Sequence, residues 1–329
     1  MIEPLDPMTQ PRFWTARAPS EVPDSFAQSA VVLGNLDGLH RGHQALLEVA
    51  QEFGTRNAAP VVVFTFDPHP MQVLPGKPDF RRIFSPEVQT EMLRHWGASG
   101  VYYQHFDLDF AKTSAEDFLN QCLVPAVKPA AIVVGFNFRF GQGRQGTPEF
   151  LREWGSRHGV KILVVEPVNY LNETVSSSKI RAALLAGDVH HAGQLLGFPF
   201  FLQGIVEKGA QRGRNLGFPT ANMMWSTSVD PVAKTTLTPA FGVYVTRTHF
   251  QGNVLPSVSH LGPIPTFSDI RPRLETHILD RDLALYGETL RVEFLEKLRD
   301  PVKFEGLDAL KAQIDADCAA ARRYHREHP

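Results

Sequence analysis

The sequence predicts an α/β protein in two parts: a doubly wound parallel sheet in residues 1–197, then a small antiparallel β-barrel with one terminal helix in residues 198–329. Three observations carry this reading. Short apolar runs alternate with helix-periodic segments up to about residue 165, as they do where strands are buried on both faces of a parallel sheet. Beyond residue 198, strand-like segments follow one another between Gly, Pro and Asn, and helical periodicity returns only at residues 307–324. A chain of 329 residues is also long enough for two separate cores.

The first strand is Ala30-Val31-Val32-Leu33, and the helix after it is read from Gln44-Ala45-Leu46-Leu47-Glu48-Val49-Ala50. Further strands are predicted at residues 61–66, 101–106, 131–134 and 161–165, with helices at 86–96, 115–123 and 148–158 between them. Thr147 supplies the N-cap of the last helix and Pro148 its first position. Ligands of such sheets bind beyond the carboxyl ends of the strands, where His40, His43, Asp67 and Asn137 all fall. The segments 200–208, 241–249, 253–261 and 290–294 are the barrel strands, and the linker is placed near Gly197-Phe198-Pro199.

Most of the chemistry lies in Gly34-Asn35-Leu36-Asp37-Gly38-Leu39-His40-Arg41-Gly42-His43, where a buried strand gives way to a helix. A helix N-terminus offers unpaired N–H groups and partial positive charge, so an anion there gains hydrogen bonds and a favourable dipole together. His40 and His43 add side-chain donors, and the glycines at 34, 38 and 42 allow close approach or a positive φ. A zinc site would need partners the chain lacks: there is no Cys-x-x-Cys, no His-Glu-x-x-His, and Cys122 and Cys318 stand far apart. On the local motif alone, a purely structural turn stays open.

Gly141-Gln142-Gly143-Arg144-Gln145-Gly146 also spells a dinucleotide-binding fingerprint, with Glu166 following at a strand end. True fingerprint glycines turn directly off the first strand, whereas here residues 136–140 intervene, which argues against a nicotinamide cofactor. The net charge of −2 and the lack of a basic run point away from nucleic acid as a partner. No apolar stretch is long enough to span a bilayer and the first residues are not those of a targeting peptide, so a cytoplasmic location is expected. Two cysteines make no disulfide framework, and no feature fixes an oligomeric state.

The string from Gly34 to His43 resembles the signature of HxGH nucleotidyltransferases, in the version found in prokaryotic bifunctional riboflavin kinase/FMN adenylyltransferases, the FAD synthetases. Further segments match that family in order: Thr65-Phe66-Asp67-Pro68-His69-Pro70, Gly135-Phe136-Asn137-Phe138-Arg139-Phe140-Gly141 and Val175-Ser176-Ser177-Ser178-Lys179-Ile180-Arg181. Gly213-Arg214-Asn215-Leu216-Gly217-Phe218-Pro219-Thr220-Ala221-Asn222 and Leu274-Glu275-Thr276-His277-Ile278-Leu279-Asp280, followed by Leu285-Tyr286-Gly287, complete the match.

The resemblance implies a Rossmann-like adenylyltransferase domain and a riboflavin kinase-like barrel. It implies that His40 and His43 are catalytic, donating to the ATP triphosphate at the α-phosphate. Gly34, Asn35, Asp37, Gly42 and Asn137 would bind nucleotide or substrate, and Ser176, Ser177, Ser178 and Arg181 would receive the departing phosphates. Read alone, that serine string is an ordinary N-cap. In the second half Gly213, Arg214 and Gly217 would form the loop over the phosphates, Thr220 and Asn222 would hold Mg²⁺ with ATP, and Glu275 would be the general base toward riboflavin. The chain departs from the family pattern at Leu36, Leu39, Ser178, His260 and Ile264. Riboflavin, FMN and ATP are the implied small-molecule partners. An adenylyltransferase whose kinase-like half only binds flavin is the alternative. The segment 225–238 reads as a long polar surface loop.

Overall fold

The computed structural model describes residues 13–76, 79–207, 217–224, 236–263, 272–281 and 283–328. The expectations for Gly213, Arg214 and Ile264, and most of that for the segment 225–238, lie outside the described residues. The chain divides into two compact units, Met1–Val175 and Ser176–Pro329.

The first unit is built on a six-stranded sheet of order β1-β4-β3-β2-β5-β6, all pairs parallel. The strands are β1 (Trp14–Ala16), β2 (Ala30–Leu33), β3 (Val61–Asp67), β4 (Gly100–His105), β5 (Ala131–Gly135) and β6 (Lys161–Val165). Helices α1 (Arg41–Asn57), α2 (Pro70–Val73), α3 (Pro86–His95), α4 (Ala115–Asp117), α5 (Val124–Val127) and α6 (Pro148–His158) connect them. Central strands β2 and β5 are buried on both faces, which explains their unbroken apolar sequence. From β2 to β4 the chain moves one way across the sheet, and β5 then returns to the other side of β2. The order therefore reverses between β2 and β5, the point above whose carboxyl ends ligands of such sheets bind.

Two local expectations are modified. The helix at 115–123 is α-helical only at Ala115–Asp117; Phe118–Leu123 is a π turn leading into α5. Pro125 lacks an N–H and its ring would press on a preceding carbonyl, and a widened turn relieves both. The glycine string at 141–146 is a packing device. Gly141 has φ +71° and a Cβ there would sit 2.7 Å from the Ala115 backbone, while one at Gly146 would fall on the Phe140 ring. Phe140 and Gly146 exchange backbone hydrogen bonds of 3.2 and 2.9 Å, closing the loop on itself.

The second unit begins with α7 (Ser177–Ala186) and α8 (Val189–Leu196), which pack with the barrel, so this division falls before the expected linker at Gly197. The barrel is closed in the order β10-β13-β12-β11-β14-β9. Its strands are β9 (Phe201–Glu207), β10 (Ala221–Met224), β11 (Gly242–Phe250), β12 (Asn253–Pro263), β13 (Pro272–Ile278) and β14 (Thr289–Arg299). Inside it, buried hydroxyls link in one run: Thr248 to Ser257, Ser257 to Thr246, Thr246 to Ser259 at 2.8 Å each, and Ser259 to Thr276 at 2.9 Å. The terminal helix α9 (Leu307–Glu327) covers Val243, Val245 and Val258 with Cys318 and Ala321. Arg299 of β14 grips Asp317 through Nε and Nη2, at 3.0 and 2.7 Å, and so pins the helix in place.

Candidate active sites

Between β2 and α1 the chain makes a tight loop whose backbone is held at almost every step. Leu36 and Leu39 have φ of 49° and 47°, a left-handed conformation costing a residue with a Cβ about 1–3 kcal/mol. Both side chains are buried, at 2% and 0% exposure. Gln89 of α3 donates Nε2 to the carbonyls of Asn35 and Leu36 at 3.1 and 3.2 Å, Thr65 donates to Asn35 O at 3.3 Å, and Gln44 donates to Leu39 O at 2.9 Å. Asp37 accepts the Ile83 N–H at 2.9 Å. A carboxylate so placed anchors the loop, where facing a phosphate it would repel it.

This scaffold presents two imidazoles. His40 is the N-cap residue of α1 and its carbonyl accepts from His43 N at 2.7 Å and Gln44 N at 3.0 Å, so the two rings rise from the same helical turn. They stack with centroids 3.7 Å apart and planes 17° from parallel. Burial, and then the neighbouring His40, push the His43 imidazole well below the usual histidine range, so this ring is neutral at neutral pH. His43 Nδ1 and Asn35 Oδ1 are buried without a hydrogen-bond partner. Each such orphan costs about 1–3 kcal/mol, which a ligand group arriving there would recover. The His40 side chain makes no capping hydrogen bond, which leaves the helix end suited to an anion.

Elsewhere on this rim, Asp67 ends β3 and is gripped by Arg17 at 2.7 Å and Arg82 at 3.0 Å. Arg82 also donates to Phe66 O at 3.0 Å, so Asp67 closes a structural network at the strand end. Asn137 follows β5 and is exposed. Of the three phenylalanines around it, Phe140 is in the core, Phe138 stacks on Phe140 at 5.5 Å, and Phe136 is 41% exposed and available to a planar ligand. A hairpin, β7 (Asn169–Tyr170) with β8 (Glu173–Thr174), sets the Tyr170 ring 4.4 Å from the Arg41 guanidinium.

In the second unit, Ser176 is the N-cap of α7 and its hydroxyl accepts from Lys179 N at 3.4 Å. The plain N-cap reading of the serine string therefore holds for Ser176. Ser177 and Arg181 are partly buried and Ser178 is exposed. In the barrel, β10 and β13 bring Asn222 into register with Glu275, and β12 sets His260 opposite Glu275 on its other side. Residues directly opposite in antiparallel strands share a face, so Asn222, Glu275 and His260 form one row. Asn222 is buried and Thr220 partly buried. A cavity of about 410 Å³ opens beside this row, lined by Thr220 and Thr276 together with Val206, Arg281, Leu285 and Tyr286. Glu275 and Asn222 are not in its lining.

Two family models match this chain: FAD synthetase over residues 22–179 and riboflavin kinase over residues 196–325. A bifunctional riboflavin kinase/FMN adenylyltransferase of Escherichia coli K12 is 35% identical over 295 residues, 89% of this chain and 92% of its own. The chain belongs to the bifunctional riboflavin kinase/FMN adenylyltransferase family. Its relative in Bacillus subtilis is 32% identical over 92% of this chain and 94% of that one. A solved structure described as a macrolide-efflux protein from Streptococcus pneumoniae has a TM-score of 0.82 at 33% identity, covering 94% of this chain and 98% of that chain. Among the described residues here, no helix is long and apolar enough to cross a membrane.

Against the family reading, sequence reasoning missed the residues that hold the loop. Gln89 is the clearest. It lies on the buried face of α3 with Met92 and Leu93, and a polar residue at an apolar position of an amphipathic helix is the signal that could have found it. Among the loop glycines, Gly38 has φ +88° and a Cβ there would stand 2.7 Å from Ile83 Cδ1, while Gly42 bears directly on the paired rings: a Cβ would stand 3.1 Å from His40 Cε1 and 3.2 Å from Nδ1. At Gly34 a Cβ would meet only Leu36, at an ordinary 3.6 Å. Gly42→Ala is therefore expected to keep the melting temperature or raise it slightly, alanine being the better helix former, while displacing the His40 ring. FAD formation from FMN should fall roughly tenfold or more, since catalysis is steep in ring position. An unchanged rate would show that the ring has room to give.

Proposed function

We propose that this chain divides two ATP-dependent reactions between its halves, adenylyl transfer in residues 1–197 and riboflavin phosphorylation in residues 198–329. It is an enzyme that makes FMN from riboflavin and FAD from FMN. The observation that carries the first assignment is the stacked His40–His43 pair on an over-determined loop at the sheet's reversal point, with Asn35 Oδ1 and His43 Nδ1 left unsatisfied.

In the first reaction an FMN phosphate oxygen bonds to the α-phosphorus of ATP, the bond to the β-phosphate oxygen breaks, and pyrophosphate leaves. The protein's task is to align two anions and meet charge as it builds. A neutral His43 ring carries one N–H that can donate to an α-phosphate oxygen, and negative charge arriving there favours a second proton. His40 acts beside it, Gly34, Asn35 and Gly42 shape the nucleotide site, and Asp37 holds its loop. Asn137 orients substrate. Ser176, Ser177, Ser178 and Arg181 suit the β- and γ-phosphates, Arg181 as the fixed charge.

In the second reaction Glu275 takes the proton of the ribityl 5′-hydroxyl as its oxygen bonds to the γ-phosphorus, and ADP leaves. Gly213, Arg214 and Gly217 belong to the loop proposed to cover the nucleotide. The side chains of Thr220 and Asn222 offer oxygen donors, which fit Mg²⁺. Among the described residues no group of three or more His, Cys, Asp or Glu could hold a metal by itself, and a cation held by two neutral oxygens and ATP needs none. Bound there, Mg²⁺ would neutralise charge on the transferring phosphate. An enzyme drawing on ATP in this way belongs in the cytoplasm.

Incubation with riboflavin, ATP and Mg²⁺, followed by chromatography of the flavins, tests the reading. FMN should appear first and FAD after it. FAD from added FMN but no product from riboflavin would reduce the barrel to a flavin-binding module.

A further inference from the structure

His277 lies two residues beyond Glu275 on β13 and so shares its face of the strand. Its Nδ1 stands 2.8 Å from the carbonyl oxygen of Pro219. A carbonyl can only accept, so Nδ1 carries the proton and donates. Pro219 has no N–H of its own with which to join a ladder, and β10 begins only at Ala221. The residue after Pro219 is Thr220, and Asn222 is in register with Glu275. The Phe218 ring meets the His277 ring edge to face at 5.8 Å. One imidazole on the strand of the proposed base thus latches the backbone that delivers the proposed metal-binding oxygens.

We infer that His277 is a positioning residue of the kinase half, setting Thr220 and the Mg²⁺·ATP it holds at the correct distance from Glu275. The inference rests on the functional reading above and adds a residue that reading does not use. Because the latch is a single donated hydrogen bond, its loss affects nucleotide placement more than folding: the barrel closes through its strand ladders, and Phe218 also packs with the cluster beneath α9.

The test compares His277→Phe, His277→Asn and His277→Gln in riboflavin phosphorylation, with FMN adenylylation by the same preparations as an internal control. Phe keeps the ring contact with Phe218 and removes the donor. The amide Nδ2 of Asn can take the place of imidazole Nδ1, and that of Gln reaches instead toward Nε2. Expected for Phe is a rise of roughly tenfold in the KM for Mg²⁺·ATP and in the Mg²⁺ concentration for half-maximal rate. The riboflavin KM, the melting temperature and FAD formation from FMN should hold. Asn should restore most of the loss and Gln should not. The inference is overturned if Phe and Asn behave alike, if riboflavin KM rises as much as that for ATP, or if the losses follow melting temperature. A wild-type chain that phosphorylates no riboflavin overturns the functional reading itself, and this inference with it.

Discussion

His43→Ala is expected to lower conversion of FMN to FAD by about 10²–10³-fold, the usual loss when one preorganised donor to a developing oxyanion is removed. Production of FMN from riboflavin should continue, because Asn222, Glu275 and the cavity beside them are all in the barrel. The fold should survive. The loop beneath His43 is held by Gln89, Thr65, Gln44 and Asp37 rather than by the imidazole. Loss of the ring also removes a buried polar atom without a partner, which offsets part of the lost packing. The measurement is the initial rate of each step in one preparation, with circular dichroism to confirm folding. Equal loss of both activities in a folded variant would contradict the assignment of adenylyl transfer to this site.

Glu275→Gln should suppress FMN formation by about 10²–10⁴-fold, the range for removing a general base, while the FMN-to-FAD step stays close to wild type. The amide keeps the volume and much of the hydrogen bonding of the carboxylate, so the row with Asn222 and His260 should remain in place. What it cannot do is take a proton. Supplying FMN directly should then restore FAD synthesis by the same variant. Substantial phosphorylation of riboflavin by the glutamine variant would remove Glu275 as the base.

Much of this was legible in the sequence, and the reasons differ by element. Strands β2, β3 and β5 announce themselves because burial on both faces demands uninterrupted apolar residues. The strands β10 and β13 escaped. One is only Ala221–Met224, and the other, Pro272–Ile278, mixes charged and apolar residues because its outward face carries the proposed chemistry. Strand β1 is three residues long and among the described residues pairs only with β4, so its neighbour fixes it more than its own composition does. The paired histidines could be read from spacing, since the N-cap and third helical residues always fall together. The clamp on their loop could not. Gln89 is 54 residues from Asn35 in the chain, and only the fold brings the two together.

The run of hydroxyls inside the barrel has a consequence of its own. Five O–H groups, on Thr248, Ser257, Thr246, Ser259 and Thr276, supply four links, so one proton is always spare. Thr276 alone among them borders the open cavity. An acceptor entering there would draw the spare proton to Thr276, every O–H pointing outward in sequence; a donor would turn Thr276 inward and leave the spare O–H at Thr248, the far end. The barrel's interior can thus register the polarity of its visitor by rotating hydrogens alone, with no heavy atom displaced.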